Sequence, residues 1–221
     1  MTDRIGRRDA AEERAWDEMT YWEGHAIPYW IWENVTADMW QAMPETLCSR
    51  MEIVDGRALL LASPTIDHQG AAGMLNLELR SHARAYAQAS CRAIDALYGY
   101  ALRLRDRPLH HRRPDVIVYE LAPGRNLPAP SDTLLVVEVV SQSSRIMDTV
   151  HKSAEYADAG IANYWIVETS DGSISNVTWY ALPKHEKRYE VRACWTPAET
   201  PEGISTDEPF PIRIAWDELA F

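Results

Sequence analysis

The chain has 221 residues, of which 46% are hydrophobic and 25% charged, and its formal net charge is −11. This composition is typical of a water-soluble domain with one core, and no apolar run approaches the roughly 20 residues that span a bilayer, so we expect no membrane contact. The acidic balance argues against a nucleic-acid partner unless a local basic patch exists, because nucleic-acid binders are usually basic on at least one face.

Residues 1–45 are predicted to be an N-terminal extension, mostly helical or irregular, and residues 46–221 to be one domain. The stretch AAEERAWDEM favours a helix because Ala and Glu have high helix propensity. The charged start of the chain lacks the apolar centre of a signal peptide, so we expect a cytoplasmic protein. The three cysteines are far apart and indicate neither a metal site nor a disulfide framework.

A hairpin and a long helix are predicted at the start of the domain. The sequence MEIVDGRALLLASP predicts two strands around a turn at Asp55 and Gly56, because Asp-Gly is a strong hairpin signal. Asp67 is a candidate N-cap of a helix that runs to about Tyr86. Residues that recur at helical spacing within this segment are Ala72, Leu75, Leu79, His82 and Tyr86.

A second hairpin is predicted in the middle of the chain. The alternation in LYGYALRLR (97–105) predicts a strand, RDRPLHHRR (105–113) a turn, and PDVIVYE (114–120) the antiparallel partner strand. The three prolines of APGRNLPAPSD (122–132) predict a loop.

The last third of the chain predicts a covered central strand, a helix and further strands. LLVVEVV (134–140) is apolar on both faces, as strands covered by helices are. A helix is expected from about Arg145 to Ala159, with Gly160 as its C-cap. The remaining predicted elements are strands at ANYWIVE, VTWYALP and RYEVRACW, a turn at SDGS, and a terminal strand or short helix at IRIAWDELAF. This order predicts an α/β fold in which helices flank a mixed central sheet.

Glu138 is a carboxylate inside the apolar run of the predicted central strand. Burying an ionised carboxylate without a partner costs several kcal/mol or more. Asp115 begins the strand PDVIVYE, after Pro114, which suits a strand start because it cannot donate to the ladder. If the two strands are neighbours, Asp115 and Glu138 converge on a site for a hard cation such as Mg²⁺, which would also keep Glu138 charged.

The Pro-Asp pair, followed by a loop and a glutamate inside an apolar strand, resembles the signature of the PD-(D/E)XK nuclease superfamily. Within that superfamily the chain resembles the Uma-two family of restriction-endonuclease-like proteins, from about Met51 to the C-terminus. The resemblance rests on MEIVDGRALLLASPTIDHQ, RRPDVIVYE, LLVVEVVSQSS, the helix with Lys152 and Tyr156, and AGIANYWIVE. It implies a restriction-endonuclease-like fold, metal-dependent hydrolysis of phosphodiester bonds in DNA, and a homodimer.

The resemblance also implies the composition of the metal site. Asp115, Glu138 and the backbone carbonyl of Val139 would hold Mg²⁺ or Mn²⁺. The superfamily usually carries a lysine two residues after the glutamate, where this chain has Val140. In the Uma-two pattern a lysine from the next helix takes that role, and Lys152 is the matching residue.

Two further residues match positions of the family. Glu52 matches an acidic residue that the superfamily uses near its first helix, and His68 in TIDHQ matches a position that recurs in the family. The resemblance therefore adds Glu52 to the catalytic residues and puts His68 near the site.

The stretch RLRDRPLHHRRP is the dense basic cluster of this acidic sequence and leads directly into Asp115. It is either a solvated hairpin tip or a patch that contacts phosphates beside the metal site. The candidate nucleic-acid contacts are His68, Arg103, Arg105, Arg107, Arg112, Arg113 and Arg145.

Each candidate residue also has a purely structural interpretation. Glu138 would form a buried ion pair, for example with an arginine, and Asp115 would be an ordinary strand-start residue. Lys152 would pair with Asp148 four residues earlier on a helix surface, and Tyr156 would be a core residue.

Three functional hypotheses follow from these observations. The leading one is a metal-dependent endonuclease acting on DNA. The alternative is a catalytically silent member of the same fold that binds or regulates, which the net charge of −11 and the valine at position 140 motivate. A serine or cysteine hydrolase has little support, because the sequence has no G-x-S-x-G motif and no cysteine placed as an activated nucleophile.

Overall fold

The described part of the chain forms three β-sheets and four α-helices. In this computed structural model the described residues are 34–140 and 147–221, without the side chains of residues 147–149. The predicted helix at AAEERAWDEM and the candidate contact Arg145 lie outside them. No helix among the described residues is long and apolar enough to cross a membrane.

The elements have the following bounds. The α-helices are α1 (Ala37–Ala42), α2 (Glu45–Cys48), α3 (Ile66–Ser90) and α4 (Ser153–Asp158). A π-helical turn (Met147–Lys152) leads into α4, and 3₁₀ turns lie at Pro130–Asp132 and Trp216–Leu219. The strands are β1 (Met51–Val54), β2 (Arg57–Leu60), β3 (Ile94–Tyr98), β4 (Leu102–Asp106), β5 (Leu109–Arg112), β6 (Val116–Glu120), β7 (Thr133–Val140), β8 (Asn163–Ser170), β9 (Ser173–Ala181), β10 (Glu190–Trp195), β11 (Ile204–Thr206) and β12 (Ile212–Ile214).

The central sheet has six strands in the order β10-β9-β8-β7-β6-β3. It is mixed, because β7 and β8 are parallel whereas the other neighbours are antiparallel. Leu75 and Leu79 of α3 pack with Val137 on one face, and Tyr156 of α4 packs with Val136 on the other. This arrangement confirms the predicted α/β fold and the position of LLVVEVV as a covered central strand.

A second sheet of four strands has the order β2-β1-β5-β4. The predicted hairpin at its edge is confirmed, since Asp55 and Gly56 connect β1 to β2 with φ of 51° and 77°. Both angles lie in the left-handed region that a tight turn of this kind requires, which explains the Asp-Gly pair. This sheet supplies two residues of the site described below, Glu52 from β1 and Arg112 from β5.

The prediction for the middle of the chain was wrong in two respects. Residues 97–105 are not one strand, because Gly99, with φ of 58°, separates β3 in the central sheet from β4 in the second sheet. The stretch RDRPLHHRR is not a turn throughout, because Leu109–Arg112 form β5, and all four of these residues are buried. The strand was missed because its polar side chains suggest a loop, whereas partners that are distant in sequence bury them.

The predicted antiparallel partner of PDVIVYE is confirmed only for Leu97 and Tyr98, which belong to β3. β6 pairs antiparallel with β3 and β7, whereas β4 pairs with β5. At the start of α3 the N-cap is Thr65 rather than Asp67, since the Thr65 hydroxyl accepts a hydrogen bond from the backbone N–H of His68. Gly160, with φ of 78°, follows α4 as predicted.

Residues 34–45, which the sequence assigns to the extension, contact the second sheet. Val35 and Met43 are buried in one cluster with Met51 and Ile53 of β1. The domain boundary at residues 45 and 46 stays a prediction.

Candidate active site

Glu138 lies on β7 and points toward the helical layer that contains α4. Its side chain is buried, with 4% of its surface exposed. The Lys152 ammonium donates to Glu138 Oε2 at 2.9 Å, and the Tyr156 hydroxyl donates to Glu138 Oε1 at 2.7 Å. Two donors from one helical segment therefore stabilise the buried carboxylate, and each contacts a different oxygen.

Asp115 immediately precedes β6, and the strand register puts it opposite Glu138. The antiparallel register pairs Val116 with Val137, and continuing it by one residue puts Asp115 opposite Glu138. Both side chains fall on the face that holds Ile117 and Val136, because residues two apart in a strand share a face. Directly opposite residues of an antiparallel pair have Cβ atoms about 5 Å apart, so we expect the two carboxylates to lie close together.

Hydrogen bonds fix the Asp115 carboxylate at the start of β6. Its Oδ2 accepts a hydrogen bond from the backbone N–H of Val139 at 2.7 Å, and its Oδ1 lies 2.8 Å from Nε2 of His68. His68 comes from the first turn of α3, and its side chain is 24% exposed. His68, which the resemblance puts near the predicted site, therefore contacts Asp115.

Lys152 connects three elements of the structure. It ends the π-helical turn before α4, and it is buried. Its ammonium lies 2.9 Å from Glu138 Oε2 on β7 and 3.7 Å from Glu52 Oε1 on β1. Lys152 therefore faces the carboxylates of the site, and the side chain of Asp148, its alternative partner, lies outside the described residues.

Glu52 lies on β1 of the second sheet, in a buried ion-pair network that Lys152 links to Glu138. Its Oε2 accepts a hydrogen bond from Arg112 at 2.7 Å, and its Oε1 accepts one from the backbone N–H of Arg113 at 2.9 Å. The Arg112 guanidinium also donates two bonds, of 2.5 and 2.6 Å, to the Glu155 carboxylate on α4. Glu52 therefore lies between Arg112 and Lys152, where it can hold the lysine in place.

The charged neighbours determine how two of these groups titrate. Burial alone raises the pKa of Glu52, but Lys152, Arg112 and the Arg113 N–H outweigh it, so the pKa lies below the usual value. Burial, followed by the charges of Glu138 and Glu52, raises the pKa of Tyr156 well above the usual value. Glu52 is therefore ionised and Tyr156 protonated at neutral pH.

Glu155 makes the fold sensitive to acid. Burial alone raises its pKa, but hydrogen bonds from His110 and Arg112 lower it from 4.5 to about 2. A depressed pKa in the folded state stabilises the fold above the ordinary value, and this contribution disappears as the pH falls from about 4.5 to about 2. We expect a loss on the order of 3 kcal/mol in the free energy of unfolding over this interval.

Urea unfolding at pH 5, 4 and 3 measures this effect. The Glu155→Gln variant has no carboxylate at this position, so its free energy of unfolding should depend less on pH over the same interval. An equally steep decline in both proteins would contradict the assignment to Glu155.

The structure divides the candidate arginines into two groups. Arg105 and Arg107 are exposed at the end of the β4–β5 hairpin, where Arg105 contacts Asp55, and Arg103 is half-buried beside His111 and Asp106. In contrast, Arg112 is 1% exposed, and Arg113 donates to the backbone carbonyls of Gly99 and Cys48. We therefore keep the first group as candidate phosphate contacts and assign Arg112 and Arg113 to the interior.

The arrangement suits a hard cation only in part. Within residues 34–140 and 147–221 no group of three or more His, Cys, Asp or Glu side chains is arranged to hold a metal ion. Asp115 and Glu138 nevertheless offer two carboxylates, and Mg²⁺ is commonly bound through one or two carboxylates while it keeps several waters. A carboxylate oxygen has two lone pairs, so a hydrogen bond to it is compatible with binding a cation.

Two residues beside the site have contacts that the sequence did not indicate. Tyr156, which shares a helix face with Lys152, was predicted to be a core residue and is buried in the core, but its hydroxyl also donates to Glu138. Glu155 follows Lys152 by three residues, and its role depends on Arg112, which is 43 positions away. No local pattern indicates the partner of Glu155.

Comparisons with known proteins agree with this fold. A sequence model of the Uma2 (Uma-two) family, described as "Putative restriction endonuclease", matches residues 38–215. A crystal structure of a "putative nuclease belonging to DUF820" from Anabaena variabilis ATCC 29413 superposes with a TM-score of 0.58. The two chains are 15% identical, and the alignment covers 84% of this chain and 97% of the other, so the likeness concerns the fold alone. No curated protein matches the chain.

Proposed function

The chain belongs to the Uma2 family, as its motifs predicted, and from this premise we propose that it hydrolyses phosphodiester bonds in DNA with a bound divalent cation. The observation that carries the proposal is the meeting of three groups from separate elements. Asp115 lies opposite Glu138 in the strand register, and the Lys152 ammonium donates to Glu138. Two acids and an ammonium group in a partly buried site are the parts that metal-assisted hydrolysis requires.

Asp115 and Glu138 are the proposed side-chain ligands of Mg²⁺ or Mn²⁺, with the backbone carbonyl of Val139 as a third oxygen. Continuing the β6–β7 register by two residues puts Pro114 opposite Val139. Proline has no N–H, so Pro114 cannot donate a hydrogen bond to that carbonyl. The Val139 N–H donates to the Asp115 carboxylate, so the backbone of Val139 faces Asp115 at the start of β6.

The cation would supply a water of lowered pKa and neutralise charge on the scissile phosphate. Lys152 would stabilise the negative charge that develops on the phosphate oxygens, because a preorganised cation in a water-poor site is effective at this task. Glu138 and Glu52 hold this ammonium in position, and Arg112 in turn holds Glu52. His68 would orient Asp115.

The exposed arginines are the proposed phosphate contacts of a bound duplex, at a distance from Asp115 along β5. Arg105 and Arg107 lie at the tip of the β4–β5 hairpin, and β5 leads through Pro114 to Asp115. Their guanidinium groups would contact phosphates without reading sequence. We further propose a homodimer, because a pair of sites cuts both strands of a duplex, and light scattering of the purified protein would measure its mass.

The direct test is a cleavage assay with the full chain. Supercoiled DNA, linear duplex, single-stranded DNA and RNA are each incubated with Mg²⁺, Mn²⁺ or EDTA. We expect cleavage of DNA that requires a divalent cation and ceases with EDTA. Purified, folded protein that cleaves none of these substrates with either metal would overturn the proposed activity.

Metal binding is tested separately with the Asp115→Asn variant. An amide is a neutral and weaker ligand for a hard cation, so we expect Mn²⁺ affinity to fall at least about tenfold. Asp95→Asn is the matched control, because Asp95 pairs with Arg80 and Arg84 elsewhere on the sheet. Calorimetric titration measures both variants, and unchanged Mn²⁺ affinity in Asp115→Asn would contradict the assigned ligand.

A catalytically silent binding or regulatory module is the second candidate function. It is favoured by the donors that already contact both oxygens of Glu138 and by the overall charge of −11. This candidate predicts a folded protein that binds no Mn²⁺ in the same titration. Metal binding that Asp115→Asn weakens, together with DNA cleavage in the assay above, would exclude it.

A further inference from the structure

We infer that Tyr156 is a positioning residue of the proposed metal site, whose hydroxyl fixes the Glu138 carboxylate in the orientation that faces the cation. The inference rests on the proposed function, because it assumes that Glu138 is a metal ligand. It goes beyond that function by giving a role to a residue that sequence reasoning assigned to the core.

The position of Tyr156 is determined by packing on all sides. Its surface is 0% exposed, and its ring packs edge-on against Tyr164 of β8 with 5.4 Å between ring centroids. The ring lies in the same apolar cluster as Val136 and Val140, the two neighbours of Glu138 on its face of β7. The packed ring therefore holds the hydroxyl 2.7 Å from Glu138 Oε1.

The two donors to Glu138 have different chemical effects. Lys152 contacts Oε2 and brings a positive charge, which offsets part of the negative charge available to a cation. Tyr156 contacts Oε1 with a neutral hydroxyl, so it restricts rotation of the carboxylate without reducing its charge. Together they determine the plane of the carboxylate, and hydrogen bonds to a metal ligand from such partners usually affect metal affinity.

A phenylalanine at position 156 tests this role, because it keeps the ring and removes only the hydroxyl. Tyr189→Phe is the matched control. Tyr189 is also buried in this apolar cluster, and its hydroxyl donates to the backbone carbonyl of Ile161 at 2.7 Å, away from the carboxylates. Each variant thus loses one buried hydroxyl with one hydrogen bond.

The readouts are Mn²⁺ affinity by calorimetry, the urea midpoint of unfolding, and kcat and KM for DNA. We expect similar small decreases of the urea midpoint in both variants. We expect about tenfold or greater loss of Mn²⁺ affinity in Tyr156→Phe and no change in Tyr189→Phe. In Tyr156→Phe, kcat should fall while KM for DNA stays constant.

The outcomes separate this inference from the proposed function. Tyr156→Phe with wild-type Mn²⁺ affinity overturns the inference and leaves the nuclease proposal standing. Wild-type protein that binds Mn²⁺ but does not cleave DNA overturns the nuclease proposal, and the affinities still decide the role of Tyr156. Wild-type protein that binds no Mn²⁺ overturns both.

Discussion

Replacement of Glu138 by glutamine is expected to lower the rate of metal-dependent DNA cleavage on the order of a thousandfold. The amide has the size of the carboxylate, and its oxygen can still accept hydrogen bonds from Lys152 or Tyr156. It has no negative charge, however, so it binds a hard cation weakly. We therefore expect the variant to lose catalytic activity but to keep its fold, because Lys152 still lies 3.7 Å from Glu52.

Cleavage rates at saturating Mn²⁺ and the urea midpoint of unfolding measure the two parts of this expectation. Glu120→Gln is the matched control, since Glu120 lies on the neighbouring strand β6 and pairs with Arg92 at the surface. The control should cleave DNA at the wild-type rate. Near-wild-type activity of Glu138→Gln, or an equal loss in both variants, would show that Glu138 does not hold the catalytic metal.

Replacement of Arg112 by methionine is expected to reduce the free energy of unfolding by about 3–5 kcal/mol. Arg112 and Glu52 are 1% and 2% exposed at their side chains. Among the described residues, removing the guanidinium leaves the buried Glu52 carboxylate with Lys152 and the Arg113 N–H as partners, and Glu155 loses two hydrogen bonds. Loss of one partner of a buried pair is costly because the other charge stays desolvated.

Equilibrium unfolding in urea tests this expectation, with Lys187→Ala as the comparison. Lys187 pairs with Asp158 at the surface, with 78% and 65% of the two side chains exposed, so its removal should change the free energy by less than about 1 kcal/mol. The double variant Arg112→Met, Glu52→Gln should recover part of the loss, because the unpaired carboxylate is gone. A loss in Arg112→Met no greater than in Lys187→Ala would contradict the network.

The Glu138 and Arg112 variants change opposite ends of one network of ion pairs. Lys152 contacts Glu138 on β7 and Glu52 on β1, and Arg112 contacts Glu52 and Glu155. The network thus links the central sheet, the second sheet and α4. Its Glu138 end is proposed to serve catalysis, whereas its Arg112 end holds the second sheet against the helix.

The sequence alone determined those features that follow from local rules. The Asp55-Gly56 turn was predictable because few other pairs tolerate two left-handed residues in succession. The central strand was predictable because its apolar residues continue on both faces. The proximity of Asp115 and Glu138 followed once their strands were taken as neighbours, since one proline and the strand alternation specify their positions.

Only the tertiary structure decided the partners of the buried charges. Arg112 stands in a basic stretch and was a candidate nucleic-acid contact, but its partners Glu52 and Glu155 lie 60 and 43 positions away. The strand Leu109–Arg112 was likewise missed, because its polar side chains are buried only by tertiary contacts with distant segments. Turns and strands depend on residues that are close in the sequence. The burial of a charge depends instead on segments that come into contact only in the folded protein, and no local sequence pattern indicates that contact.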